Sequence, residues 1–135
     1  MHTYTIREMS ELFSLPASTL RYYESEGLLP LVEKNSSGQR IYTKEHIDRL
    51  QCINCFKRTG MTIPQLRKFF IYEADEAAHI DKIISLLKDQ EQIVNEKLIQ
   101  LQKDSAHVHH KVEYYSEIKH ALENNLPLPV WVDED

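Results

Sequence analysis

Cysteine, glycine and long apolar runs are all scarce in this sequence, and each scarcity excludes something. Two cysteines in 135 residues, Cys52 and Cys55, are too few for a disulfide scaffold and fit a reducing, cytoplasmic setting. No stretch is long and apolar enough to span a bilayer, and the N-terminus lacks the basic-then-apolar layout of a signal peptide. Only three glycines against 41 % hydrophobic residues implies an ordered, largely helical, soluble chain. Positive charge is also short, with a net charge of -5, which weighs against a polyanionic partner until the chain is divided. Residues 1–70 carry ten Lys and Arg against seven Asp and Glu, whereas residues 71–135 carry six against fourteen. All six arginines lie in the first half. The division suggests one half that meets a polyanion and one with another task, or simply two solvated faces of unequal charge.

The first half is punctuated by local signals. Thr5-Ile6-Arg7-Glu8 is a capping box, and Ile6, Met9 and Phe13 follow at helical spacing. Pro16 sits just inside the expected start of a second helix, which Gly27 stops. In that helix Leu20 and Tyr23 share one face, while Ser18, Arg21, Tyr22 and Ser25 point elsewhere. Two short helices joined by about three residues make a helix-turn-helix. Ser36-Ser37-Gly38 then separates two short runs, the second ending in Ile41 and Tyr42, which reads as a hairpin wing. Thr43 caps a third helix that ends near Thr59 and Gly60, and the Thr62-Gln65 capping box opens a fourth. The composition shifts at residues 72–78, placing the module boundary there.

From Ile80 to Leu122 there is neither proline nor glycine. Ile80, Leu87, Val94, Leu101, Val108, Tyr115 and Leu122 recur every seven residues, with Ile84, Leu98 and Val112 three residues before Leu87, Leu101 and Tyr115. Such a heptad predicts a coiled-coil helix of roughly 60 Å, too long for its own small domain to cover, and therefore a second copy of the chain. Glu91 and Lys119 occupy equivalent seam positions with opposite charge, which favours antiparallel pairing centred near Ser105.

Taken together, "LRYYESEGLL", a wing ending "GQRIY", a helix closing in "RTGMTIPQL" and the heptad helix resemble the MerR family of bacterial transcription regulators over residues 3–122. The resemblance implies an all-α fold: a winged helix-turn-helix domain (residues 1–75), a dimerisation helix forming an antiparallel coiled coil (76–122), and a short C-terminal tail (123–135). It implies no enzyme and no cofactor, but a homodimer on double-stranded promoter DNA, acting on RNA polymerase indirectly by distorting an overlong spacer. Ala17 and Ser18 would approach base edges, Arg21 and Tyr22 the phosphates and sugars, Arg40 and Tyr42 would reach DNA from the wing, and Thr5 from the first helix. Neither Ala17 nor Ser18 offers a bidentate base contact, so specificity would rest largely on DNA shape. Many members carry a separate ligand-binding domain after the long helix, and "NNLPLPVWVDED" is too short for one.

The cysteines remain to be placed. A lone C-x-x-C supplies two ligands where structural zinc needs four, and His107, His109 and His110 read as a polar helix face, so no metal is expected. No βαβ pattern surrounds the pair, against a thioredoxin-type enzyme. Ile47, Leu50, Ile53 and Phe56 form an apolar stripe; Cys55 lies nearly opposite its centre and Cys52 less far round, so Cys52 flanks the core and Cys55 does not. "CFKRTG" resembles the aldehyde-responsive (NmlR- and AdhR-like) branch of the family, whose regulatory cysteine stands at the place of Cys55. Lys57 and Arg58 add the cationic surroundings that favour a thiolate. Cys55 is thus the expected sensor thiol and Cys52 an accessory; inert cysteines with another effector, or a metal response, are the alternatives.

Overall fold

The protein's structure, a computed structural model, describes residues 2–133. Its elements are α1 (Ile6–Phe13), α2 (Ala17–Ser25), β1 (Glu33–Lys34), β2 (Arg40–Ile41), α3 (Lys44–Arg58), α4 (Ile63–Glu73) and α5 (Glu76–Glu123). This is the mostly helical, winged helix-turn-helix architecture with a long C-terminal helix that the pattern implied. Packing divides the chain into residues 1–90 and 91–135.

Helix termini in the first unit obey the capping signals. Thr5 Oγ1 accepts from the Glu8 amide at 3.1 Å while the Glu8 carboxylate accepts from the Thr5 amide at 3.0 Å. Thr62 and Gln65 reciprocate in the same way. Pro16 departs slightly from expectation: it is the N-cap of α2, extended at φ -60° and ψ 147°, and the helix begins at Ala17. Met9 from α1, Leu20 from α2, Leu28, Tyr42, Leu50 and Ile53 from α3, and Leu66 from α4 are all fully buried in one core. Ile47 and Phe56, the ends of the α3 stripe, are partly buried against it.

The wing is shorter than the two sequence runs that border it. β1 and β2 pair antiparallel with Glu33 opposite Ile41 and Lys34 opposite Arg40. Asn35 Oδ1 accepts from the amides of Ser37 and Gln39, both at 3.0 Å, and Gly38 adopts φ +78°, where a side chain would be strained. A bridge between Tyr4 and Tyr42 joins the N-terminal segment to the wing.

The expected boundary at residue 75 falls between α4 and α5, but the compact first unit continues to Gln90. Ile83 and Leu86 pack on the core, and the Gln90 amide nitrogen Nε2 donates to the Thr59 carbonyl and hydroxyl at 3.1 and 2.8 Å. Helical dihedrals break at His79 (φ -127°, ψ 16°), whose ring stacks on Tyr72, so the uninterrupted run starts at Ile80, the first heptad residue.

In the second unit the chain reverses at Asn125 (φ 52°) and runs back along α5. Leu126 donates its amide to the Ala121 carbonyl at 2.8 Å, Tyr114 donates to the Pro129 carbonyl at 3.5 Å, and His110 Nε2 lies 2.9 Å from the Val132 carbonyl. Trp131 packs edge-on to His110 and Tyr114, with Lys111 Nζ 3.7 Å from its ring centroid. Among the described residues no helix is long and apolar enough to cross a membrane.

Candidate nucleic-acid interface and sensor thiol

The amphipathic split of α2 decides which side chains can meet a ligand. Leu20 and Tyr23 are buried, and this pins Ser18, Arg21 and Tyr22 to the outer face, where all three are exposed. Ala17 is half-buried at the helix start. Thr5 is exposed, its hydroxyl engaged in the α1 cap. Ser18, Arg21 and Tyr22 lie within one and a half turns of each other, a compact patch of one hydroxyl, one guanidinium and one phenol suited to a phosphate backbone.

The wing residues behave differently from the sequence expectation. Tyr42 does not face outward: it is fully buried, and its hydroxyl donates to Glu24 Oε2 at 2.8 Å. It is therefore corrected from a DNA contact to a core residue. Burial first, and then the Glu24 carboxylate as hydrogen-bond acceptor and neighbouring charge, push its phenol well above the ordinary range and keep it a neutral donor. Arg40 is partly buried, and its Nε donates to both Glu24 oxygens at 3.0 and 2.9 Å. Glu24 thus clamps α2 to the wing through Arg40 and Tyr42, 16 and 18 positions away. Sequence reasoning missed it; the glutamate of "RYYE" carried no signal of a partner so distant.

Half of the arginines also turn inward. Arg49 Nε donates to the Leu28 carbonyl at 3.0 Å with its guanidinium 3.6 Å from the Phe70 ring centroid, and Arg67 binds the carbonyl and carboxylate of Glu26. With Arg40, these three tie loops and helices of the first unit, while Arg7, Arg21 and Arg58 are exposed. The concentration of arginine in residues 1–70 is therefore partly architectural.

The two cysteines separate as the angular argument required. Cys55 is exposed and Cys52 is half-buried against the core; both are free. Burial above all, then Glu73 and Cys55, raise the Cys52 thiol, and Arg49 only partly offsets them. Among the described residues, no three His, Cys, Asp or Glu side chains are grouped to hold a metal.

The heptad residues form an uncovered stripe in the single chain. Ile80, Ile84, Leu87, Leu98, Leu101, Val108, Val112 and Tyr115 are exposed, Leu101 at 64 %, and Val94 is intermediate.

The model of the MerR helix-turn-helix regulatory protein family matches residues 4–73. An uncharacterized helix-turn-helix transcriptional regulator of Haemophilus influenzae is 29 % identical over 87 % of each chain. The transcriptional regulator AdhR of Bacillus subtilis is 32 % identical over 64 % of this chain and 62 % of its own. Among solved structures, HiNmlR, a MerR family regulator lacking the sensor domain and bound to promoter DNA, superposes with a TM-score of 0.78 at 28 % identity, over 88 % of this chain and 94 % of that one.

Proposed function

The chain belongs to the MerR family of helix-turn-helix regulators, and on that premise we propose that it binds and distorts promoter DNA as an antiparallel homodimer, switched by modification of Cys55. It is a transcriptional regulator and not an enzyme. The observation that carries the DNA reading is the outer face of α2, where Ser18, Arg21 and Tyr22 stand exposed beside a wing held by the Glu24 clamp. Arg21 and Tyr22 would engage phosphate and sugar, Ala17 and Ser18 would approach base edges, and Thr5 would add a contact from α1. Arg40 would serve mainly by holding the wing in register. RNA polymerase would respond to the shape of the promoter rather than to a protein contact.

The pairing rests on the exposed heptad stripe, Ile80, Ile84, Leu87, Val94, Leu98, Leu101, Val108, Val112 and Tyr115, which nothing in the single chain covers along most of its length. The sensing rests on Cys55, exposed near the end of the helix whose C-cap Gln90 of α5 grips. With a small aldehyde the sulfur bonds the carbonyl carbon, the π pair moves to oxygen, and the thiol proton ends there, giving a hemithioacetal. That bulk at α3 needs only to bias two arrangements of the reading heads by a few kcal/mol to change their populations greatly.

Titration of the DNA upstream of the gene tests the reading. Arg21→Ala is expected to weaken binding by about 1.5–3 kcal/mol and to flatten the salt dependence. Ser18→Ala is expected to shift preference at one base step of each half-site. An Arg21→Ala protein with unchanged affinity and salt slope removes α2 from the interface.

A further inference from the structure

α3 ends one turn beyond Cys55, and that end is tightly closed. The Cys55 carbonyl accepts from the Thr59 amide at 3.2 Å, and the Phe56 carbonyl accepts from the Thr59 hydroxyl at 2.6 Å. Gly60 then turns left-handed at φ +96°, so that the Gly60 and Met61 amides fold back onto the Lys57 and Phe56 carbonyls, each at 3.0 Å. Met61 is buried in the core and anchors the turn. A helix end closed by this many bonds moves as one body, and a displacement of Cys55 carries Thr59 with it.

α5 meets the same unit through Ile83, Leu86 and Gln90. The first two contacts are apolar and non-directional, so they tolerate sliding. Gln90 differs from them. It is a polar side chain only 8 % exposed, and its Nε2 donates to both the carbonyl and the hydroxyl of Thr59. Hydrogen bonds weaken steeply with misalignment, and a buried amide left without acceptors is costly. The pair of bonds therefore fits one arrangement of α3 on α5 and breaks in another.

We infer that Gln90 is the positioning residue of the switch, the joint through which a change at Cys55 passes to α5. The inference rests on the Cys55 reading proposed above and gives it a route. An adduct on the Cys55 sulfur shifts the closed turn, Thr59 moves with it, and Gln90 either draws α5 along or releases it. Both responses are discrete steps, as a two-state change between reading heads requires. Gln90 also stands one residue before Glu91, a position of the heptad seam, so the step reaches the proposed pairing directly.

Alkylation with iodoacetamide in a Cys52→Ser background, followed by titration of the DNA upstream of the gene, provides the test. The Cys55 sulfur displaces iodide, and mass spectrometry confirms that every chain carries the adduct. Modification should change the DNA affinity of the background protein about tenfold. Gln90→Met keeps the length of the side chain but has no donor. It should bind DNA within about twofold of the background before modification and change less than about twofold after it. Thr59→Val, which removes the hydroxyl on the other side of the joint, should lose part of the response. Thr59→Ser, which keeps both hydroxyl and carbonyl, should retain all of it. If fully modified background protein binds DNA as before, the Cys55 reading falls and the inference with it. If the background responds and Gln90→Met responds equally, the joint alone is overturned. Loss of the response in Thr59→Ser also overturns the joint, because the bonds to Gln90 would then not be what carries the change.

Discussion

The winged unit and the long helix use the same side chains to opposite ends. Leu50 and Leu66 are fully buried within their own chain, whereas Leu98 and Leu101, equally apolar, are 53 % and 64 % exposed on α5. A leucine contributes stability only when something removes it from water. The first unit does so with four helices around one core, and the heptad stripe of α5 stays exposed in the single chain. The contrast teaches that a single chain covers the apolar side chains of one half, and that covering those of the other half falls to the pairing proposed above.

The contrast can be broken most sharply by matched truncations. Leu50→Ala should cost about 2–5 kcal/mol at any protein concentration, read as a fall in Tm. Leu101→Ala should cost a similar amount only where the seam is covered, so its effect should grow with concentration. A Leu101→Ala loss within about 0.5 kcal/mol at every concentration would mean that α5 stands alone.

A smaller effect separates buried from exposed tyrosines. Tyr42→Phe, which deprives Glu24 of one donor, should cost about 1.5–3 kcal/mol, whereas Tyr22→Phe on the outer face should leave stability unchanged and alter only DNA affinity. The Tyr42 phenol is raised by burial and by Glu24, so its stabilisation is complete below the unfolded value of about 10 and is lost as pH rises beyond it. Alkaline denaturation should therefore be less steep in Tyr42→Phe; an identical pH slope would remove this phenol from the balance.

The smallest effect compares the cysteines. Burial raises the Cys52 thiol and shields it, so at neutral pH Cys55 should alkylate about tenfold faster, as mass spectrometry can show. Cys55→Ser should keep DNA binding and lose the electrophile response, while Cys52→Ser keeps both. Faster labelling of Cys52 would exchange the two roles.

What the sequence determined by itself was whatever is encoded within a few residues. The Thr5–Glu8 and Thr62–Gln65 caps, the split of Leu20 and Tyr23 from Arg21 and Tyr22, the seven-residue spacing from Ile80, and the different surroundings of Cys52 and Cys55 all follow from helical geometry, which repeats every 3.6 residues. Tertiary structure alone decided the rest, because those partners lie far away along the chain. Tyr42 looked like a wing contact until Glu24 claimed its hydroxyl; Arg40, Arg49 and Arg67 looked like a cationic surface until each found an internal acceptor. The tail was legible only as a short C-terminal segment, and the packing of Trp131 on Tyr114 and Lys111 gave it its place. A polar or aromatic side chain carries no local mark of the group that will satisfy it, and only the packing of distant segments supplies that group.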